Sequence, residues 1–209
     1  MSAGDHSTYD AVKRVLDVYL SAVGLILTLP LQLAVAVVVR IVHGSPVLFR
    51  QPRPGKDGKV FELMKFRSMR HPDATHVTDA ERLTSLGKFL RASSLDELPA
   101  LVNVLKGDMS LVGPRPLLVR YLERYTPEQA RRHEVRPGVT GLAQARGRNS
   151  LDWEEKLALD VEYVDNRSFA LDMRILWETA SVVLLRRGIS ADGHATMTEF
   201  QGVASEAGS

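Results

Sequence analysis

The sequence contains no cysteine, few aromatic residues and almost no net charge. Without cysteine there is no disulfide, no thiol nucleophile and no thiolate-based zinc site, so any nucleophile must be an oxygen or a nitrogen. Aromatic residues make up 6% of the 209 residues, and the formal net charge is +2. Because the basic residues are dispersed, without aromatic side chains spaced among them, no nucleic-acid partner is expected. The length fits one domain.

Charged side chains are also missing from a long stretch near the N-terminus. Residues 18–39 form an uncharged segment of 22 residues, which is long enough to cross a bilayer. Basic residues flank it on both sides, including Lys13, Arg14 and Arg40. No small-residue cleavage site closes the segment, so a cleaved signal peptide is not expected.

Pro30 lies inside this segment and divides it into two parts. The parts would be roughly 18 and 14 Å long as helices, each shorter than the roughly 30 Å hydrocarbon core. Positive flanks on both sides assign both ends to the cytoplasmic face. This favours a re-entrant helical hairpin over residues 10–43, which enters one leaflet and returns. A kinked single span is the alternative. A soluble core helix is least favoured, because the segment is apolar nearly all round.

The rest of the chain predicts an α+β fold that is mostly helical. Residues 47–51 and 59–66 have the pattern of strands, and the turn residues between them predict a small β-hairpin. Several amphipathic helices follow, the last over residues 171–187, which suits either a membrane interface or a core. Residues 201–209 are small and polar and are expected to form a disordered tail. Basic residues around the hairpin could meet lipid headgroups or phosphates, namely Arg53, Lys65, Arg67 and Arg70.

Two adjacent carboxylates, Asp96 and Glu97, precede a helical pattern that Pro99 would begin. A helix starting there would direct its free N–H groups and its positive dipole end at the pair, which favours anions or a bound cation. Capping is the simpler interpretation and is favoured by local sequence, because Asp96 suits an N-cap and Ser94 with Glu97 fits a capping box.

An arginine framed by prolines shifts the balance towards a phosphate site. Arg115 lies between Pro114 and Pro116, which fix the backbone on either side of it. A guanidinium on a stiff stem suits phosphate recognition, although a surface turn with an incidental arginine is the alternative. A later turn over residues 136–141 contains two glycines, which suits close approach of the backbone to a ligand.

Seven motifs follow one another along the chain. They are Lys13-Arg14-x-x-Asp17, Phe49-x-Gln51-x-Arg53-x-Gly55, Lys65-Phe66-Arg67-Ser68-Met69, Ser94-Leu95-Asp96-Glu97-Leu98-Pro99, Leu105-Lys106-Gly107-Asp108-Met109-Ser110, Gly113-Pro114-Arg115-Pro116 and Arg136-Pro137-Gly138-Val139-Thr140-Gly141. In this order they resemble the signature series of the monotopic phosphoglycosyl transferases, the bacterial sugar transferase family, over about residues 10–200. Within it the chain looks most like the small enzymes that prime protein glycosylation with diacetylated bacillosamine phosphate, and Gly193-His194-Ala195-Thr196 with Phe200 resembles their C-terminal tail. Relatives often have Ser-Pro where this chain has Leu29-Pro30, so Thr28 would have to bond the freed backbone group.

The resemblance implies a reaction at the cytosolic face of the bacterial cytoplasmic (inner) membrane. Such enzymes move a sugar 1-phosphate from a UDP-sugar, here an N-acetylated, bacillosamine-like one, to polyprenol phosphate and release UMP. Residues 44–200 would form the cytosolic catalytic domain. Asp96 would be the nucleophile, and Asp96 and Glu97 would hold Mg²⁺, Glu97 above all. The remaining implied site residues are Arg91, Arg115 and Lys65 for phosphate, with Asp172 and Arg136 as further polar candidates.

Two other interpretations stay open from the sequence. Polyprenol phosphate could attack the UDP-sugar directly, with Asp96 and Glu97 acting only as metal ligands. Alternatively, the protein could be a non-enzymatic, membrane-anchored scaffold of a glycan assembly complex, in which the carboxylate pair caps a helix. The sequence does not indicate the oligomeric state.

Overall fold

The computed structural model describes residues 6–71, 78–147, 151–184 and 199–202. Its helices and strands agree with the predicted α+β, mostly helical class. The α-helices are α1 Ser7–His43, α2 Asp79–Arg82, α3 Ser85–Ala92, α4 Ala100–Lys106, α5 Pro127–Ala130, α6 Leu142–Arg146, α7 Trp153–Asn166 and α8 Phe169–Leu184. The strands are β1 Leu48–Pro54, β2 Val60–Phe66, β3 Ser110–Val112 and β4 Gly138–Thr140, and short 3-10 helices span Lys56–Gly58, Leu95–Glu97, Val119–Arg124 and Arg131–His133.

The first helix is a single helix and not two helices joined by a turn. It contains Pro30 and continues as one helix from Ser7 to His43. The re-entrant course of residues 10–43 in one leaflet stays a prediction. A proline inside a helix removes one backbone hydrogen bond, and the bonds on either side of it can carry the helix through. The hydroxyl of Thr28 donates to the carbonyl of Gly24 at 2.6 Å. It therefore does not bond the carbonyl of Ile26, four residues before Pro30.

One face of α1 packs against the folded domain along much of its length. Near its N-terminus, a carboxylate oxygen of Asp17 accepts a hydrogen bond from the backbone N–H of Leu111 at 3.0 Å. Near its C-terminus, Val35 and Val39 are buried. They belong to a cluster with Phe66 and Leu90, against which Leu95 and Leu98 also pack. Both ends of α1 are therefore attached to the same domain.

The remaining surface of α1 is apolar and exposed. Ile26, Leu27 and Ile41 are each more than 70% exposed. An 18-residue window of this helix has a mean hydropathy of 2.4, and by length and composition the helix could cross a membrane. A soluble protein would hide such a surface, so these side chains are suited to contact with lipid.

The predicted β-hairpin is confirmed. β1 pairs with β2 in antiparallel register from Leu48 opposite Phe66 to Pro54 opposite Val60. Leu63 of β2 packs with Ala100, Val104 and Met109, which joins the hairpin to α4. Since side chains alternate along a strand, Lys65 points to the same face as Leu63.

A second, parallel strand pair was not predicted. β3 and β4 pair through Ser110 opposite Gly138 and Val112 opposite Thr140. Strands of three residues are too short to produce a recognisable alternation in the sequence. The pair places the segment Pro114-Arg115-Pro116, called the proline-framed segment below, beside the turn that precedes β4.

Some predicted features lie outside the described residues. These are the expected end of the last helix at Arg186-Arg187-Gly188, the motif Gly193-His194-Ala195-Thr196 and residues 203–209 of the predicted tail. Phe200 is described, and it packs with Tyr121 and Leu157.

Candidate active site

The two adjacent carboxylates lie in a 3-10 helix and not at the start of an α-helix. This turn spans Leu95–Glu97, whereas α4 begins at Ala100 with Pro99 before it and has no side-chain cap. Ser94 adopts a left-handed backbone conformation (φ 56°) and also makes no capping hydrogen bond. The capping interpretation is therefore wrong for Asp96 and for the Ser94–Glu97 box, and another reason is needed for the two carboxylates.

Glu97 is held by two cations from different parts of the chain. Its Oε1 accepts hydrogen bonds from Nζ of Lys65 at 2.5 Å and from Nη2 of Arg115 at 2.9 Å. The glutamate and lysine side chains are 18% and 20% exposed, and the arginine is 45% exposed. Burial alone would raise the pKa of Glu97, but the two positive charges outweigh burial and lower the pKa to about 2. Glu97 is therefore a fixed negative charge.

Asp96 is in the opposite electrostatic situation. Its residue is 7% exposed, and its carboxylate makes no hydrogen bond with the described residues. Burial and then the charge of Glu97 raise the pKa of Asp96 to about 6, against the opposing effect of Lys65, Arg115 and Arg91. A carboxylate that is ionised near neutral pH and poorly solvated is a more reactive base and nucleophile than an exposed one.

Arg91 approaches the pair from α3. Its Nε donates to the hydroxyl of Ser68 at 3.0 Å. Burial lowers the pKa of Arg91, while the negative charge of Asp96 raises it. The predicted phosphate-binding residues Arg91, Arg115 and Lys65 thus all act electrostatically on the carboxylates.

Arg53 belongs to the same site. From the sequence it was grouped only with the basic residues around the hairpin and was not predicted as a site residue. Its Nη1 donates to the carbonyl of Pro116 at 3.2 Å, and its Nη2 donates to Gln51. Burial and the charge of Arg115 lower the pKa of Arg53 to about 10. Its buried Nε has no hydrogen-bond partner among the described residues, which suits it to an anion. The available signal was its place in the Phe49-x-Gln51-x-Arg53-x-Gly55 motif.

A pocket open to solvent lies beside Glu97. Cationic side chains lie on one part of its wall and apolar side chains on the rest, a combination typical of ligand sites. Its lining residues include Arg53, Lys65, Arg115, Leu63, Met109 and Val139.

The structure does not bring Asp172 or Arg136 to this pocket. Asp172 accepts hydrogen bonds from Lys13 at 2.6 Å and from Tyr9 at 2.8 Å, and the hydroxyl of Tyr163 lies 2.9 Å from its other oxygen. This network joins the start of α1 to α7 and α8. Arg136 lines a different cavity and donates from Nε to the carbonyl of Gly107 at 2.8 Å.

Arg67, one of the basic residues around the hairpin, is also structural. Its residue is only 6% exposed. Nη1 donates to the carbonyls of His43 and Ser45 at 3.1 and 3.3 Å. Arg67 thus joins the end of α1 to the hairpin and is not presented to lipid headgroups.

The glycine-containing turn packs closely against protein backbone. A Cβ at Gly138 would lie 2.2 Å from the backbone nitrogen of Gly113, and one at Gly141 would lie 2.2 Å from the Gly113 carbonyl oxygen. Both glycines are therefore needed to let the turn pack against the start of the proline-framed segment. Gly138 also lines the candidate pocket, so close approach of this turn to a ligand stays a prediction.

The family model described as bacterial sugar transferase matches residues 8–186. The chain belongs to this family. An uncharacterized sugar transferase of Bacillus subtilis, EpsL, is 51% identical over 91% of this chain and 96% of its own length. The family resemblance is thus confirmed over nearly the range expected from the motifs.

Two other sugar transferases similar to this chain are named by their reactions. The UDP-glucose:undecaprenyl-phosphate glucose-1-phosphate transferase of Caulobacter vibrioides is 42% identical over 84% of this chain and 70% of its own length. The undecaprenyl-phosphate galactose phosphotransferase of Salmonella typhimurium is 39% identical over 85% of this chain and 41% of its own length. This chain therefore spans less than half of the Salmonella protein.

The residues of this sugar transferase fit a magnesium ion only if a substrate supplies further ligands. Among the described residues, no group of three or more His, Asp or Glu side chains could hold a metal by itself. The Asp96 carboxylate and Oε2 of Glu97 make no hydrogen bond with those residues, however, and are hard oxygen ligands. Magnesium is often held by one or two carboxylates together with substrate phosphates. The pair fits that mode.

The two carboxylates should change stability in opposite directions when neutralised. Ionised Asp96 costs about 3 kcal/mol above pH 6, and this cost disappears below about pH 4, where the folded and unfolded states are both protonated. Glu97 contributes stability above its unfolded pKa of about 4.5 that is lost as the pH falls through about 2. At pH 7.5 without magnesium, Asp96→Asn should therefore raise the thermal unfolding midpoint, and Glu97→Gln should lower it. A lowered midpoint in both variants would contradict the assignment.

Proposed function

We propose that the protein transfers a sugar 1-phosphate from a UDP-sugar to polyprenol phosphate and releases UMP, as a first membrane step of glycan assembly. The observation that carries the proposal is the difference in pKa and hydrogen bonding between two adjacent carboxylates. Asp96 is buried, lacks a described hydrogen-bond partner and has a raised pKa, whereas Glu97 is fixed by Lys65 and Arg115. The names of the Caulobacter and Salmonella relatives support the two substrates.

In the first step, a carboxylate oxygen of Asp96 attacks the phosphorus that carries the sugar. An oxygen–phosphorus bond forms to Asp96, and the bond from that phosphorus to the bridging oxygen of the diphosphate breaks. The bonding electrons leave with UMP, and the sugar phosphate stays on the protein. A covalent intermediate divides one difficult displacement into two easier ones.

In the second step, an oxygen of polyprenol phosphate attacks the same phosphorus. The bond to Asp96 breaks and restores its carboxylate, and the product is a polyprenol diphosphate sugar. No external oxidant or reductant is needed. Without magnesium, burial raises the pKa of Asp96 to about 6, so the carboxylate becomes protonated and loses its nucleophilic charge as the pH falls below that value. Bound magnesium would lower this pKa and shift the loss of activity to lower pH.

The cations of the pocket bind and orient the diphosphate. Within the described residues, Arg115 lines the pocket and uses only Nη2 for a side-chain hydrogen bond, so its other N–H groups would be available to phosphate oxygens. Lys65 and Arg53 line the same pocket, and Arg91 adds positive charge near Asp96. Magnesium, when bound by Asp96 and Glu97, would neutralise charge on the diphosphate and on the departing UMP.

The membrane helix fixes the height of this site relative to lipid. Leu95 and Leu98, on either side of the carboxylates, pack against the cluster that contains Val35 and Val39 of α1. A polyprenol phosphate keeps its chain in lipid and its phosphate at the interface, while a UDP-sugar stays in water. The site must therefore lie at the boundary, on the cytosolic face, where UDP-sugars are made.

The identity of the donor sugar is a separate part of the proposal. The resemblance to the enzymes that prime protein glycosylation implies an N-acetylated, bacillosamine-like donor, whereas the relatives named by their substrates are glucose-1-phosphate and galactose phosphotransferases. A comparison of UMP release from UDP-glucose, UDP-galactose and UDP-diacetylbacillosamine decides between these donors.

Asp96→Asn is expected to abolish UMP release, because a neutral amide is a much weaker nucleophile than a carboxylate and cannot form the acyl phosphate. The purified protein is incubated with the best of these donors, undecaprenyl phosphate and magnesium, and UMP is measured. Asp57→Asn serves as the matched control, because Asp57 is exposed and its left-handed backbone suits asparagine. The control should keep at least half of the wild-type rate. Normal turnover by Asp96→Asn would exclude Asp96 as nucleophile, and a scaffold would show no turnover in any variant.

Both ends of α1 are proposed to lie on the cytosolic side, although the helix is continuous. The attachment of both ends to one domain supports this topology, since a single span would separate them by the bilayer. Cysteines introduced at His6 and at exposed Val60 in this cysteine-free chain should both react with an impermeant maleimide in inverted membrane vesicles. Neither should react in intact spheroplasts. Labelling of the two positions from opposite faces would establish a single span instead.

A further inference from the structure

Behind the proline-framed segment lies a buried ion pair that the proposed reaction does not use. The side chains of Arg132 and Asp160 are 2% and 4% exposed. Nε and Nη2 of the arginine donate to one carboxylate oxygen at 3.1 and 2.6 Å. The same guanidinium donates from Nη1 to the hydroxyl of Tyr125 at 3.0 Å and from Nη2 to the backbone carbonyl of Arg115 at 2.6 Å.

The proline-framed segment depends on such contacts because it has few backbone donors. Pro114 and Pro116 have no N–H group, so the segment cannot be held by the usual ladder of a strand. Its three carbonyl groups are all bonded instead. The Pro114 carbonyl accepts from the N–H of Gly138 at 2.9 Å, the Arg115 carbonyl from Arg132, and the Pro116 carbonyl from Arg53.

We propose that Arg132, held by Asp160, is a positioning residue that fixes the backbone of Arg115 and so aims its guanidinium at Glu97 and the donor diphosphate. This inference rests on the proposed function for the role of Arg115. The central carbonyl of the segment belongs to the residue that carries the phosphate-binding side chain, so a shift there moves that side chain directly. Displacements of about 1 Å at such a group can lower catalysis by about a hundredfold.

The chemistry of the pair explains why an arginine is needed. A guanidinium has five N–H groups in one plane and can serve a carboxylate, a hydroxyl and a carbonyl together. A lysine in this place would keep the charge but could not reach the three acceptors in the same geometry. Asp160 balances the buried charge, since an unpaired guanidinium would be costly at this depth.

A purely structural ion pair makes a different prediction. Loss of such a pair would reduce the amount of folded protein without a specific dependence on Arg115. A positioning role instead requires that the kinetic effect of changing Arg132 disappear when the Arg115 side chain is absent. A double-mutant cycle separates the two.

The experiment measures kcat/KM for UMP release in wild type, Arg132→Lys, Arg115→Ala and the double variant, with the donor that wild type uses best. Arg132→Lys should lower kcat/KM between about tenfold and a hundredfold. In the Arg115→Ala background, the same change should have less than about a twofold effect. An equal loss in both backgrounds, or no loss in the first, would overturn the proposal.

Arg131→Lys is the matched control. Arg131 is the adjacent arginine, and it forms ion pairs with Glu128, Glu134 and Asp165 outside the pocket. Its replacement should leave kcat/KM within about twofold of wild type, because surface ion pairs contribute little. A loss in this variant as large as that of Arg132→Lys would point to a general effect of the region and would overturn the proposal.

Two further measurements keep the test decisive. If Arg132→Lys does not fold, Tyr125→Phe removes only the hydroxyl contact and should lower kcat/KM about threefold, again only when Arg115 is present.

If wild type releases no UMP from any UDP-sugar, the proposed function fails, and hydrogen exchange decides the positioning role separately. Either replacement should then speed amide exchange in residues 112–118 more than in the rest of the domain, and unchanged exchange there would overturn the inference.

Discussion

The structure of the site depends on how positive side chains balance the negative charges of two adjacent, buried carboxylates. Two negative charges at neighbouring positions repel each other, and burial penalises both. In the described part of the chain, two cations form hydrogen bonds with Glu97 and none does so with Asp96. One of those cations comes from the hairpin and the other from the proline-framed segment, so the two parts meet at the carboxylates. Asp96, which has no hydrogen-bonded cation among the described residues, keeps a raised pKa, and this property suits a carboxylate nucleophile.

The same carboxylates are tied to the membrane helix. The residues that flank the pair pack against Val35 and Val39, while other faces of that helix expose large apolar side chains. The apolar surface suited to lipid and the site therefore belong to one packed unit. This suits a reaction between a lipid-bound phosphate and a water-soluble nucleotide, since neither substrate has to leave its own phase.

Much of this arrangement could be predicted from the sequence, and the remainder depends on contacts between distant parts of the chain. The hairpin follows from alternation, and the closeness of Lys65 and Arg115 to the carboxylates agrees with the family motifs. Capping was the natural local interpretation, but Ser94 adopts a left-handed conformation that no neighbouring residue signals. The unbroken course of α1 through Pro30 was missed, because the usual cost of a proline takes no account of the packing on either side of it.

The most direct test of the account is mass spectrometry of the intact protein and its peptides after incubation with the UDP-sugar donor and magnesium, without polyprenol phosphate. The account predicts a mass increase equal to one sugar phosphate on the peptide that contains Asp96, and its loss when polyprenol phosphate is added. An unmodified Asp96 under these conditions, in protein that still forms product when the lipid is supplied, would contradict the covalent mechanism and favour direct attack by the lipid phosphate.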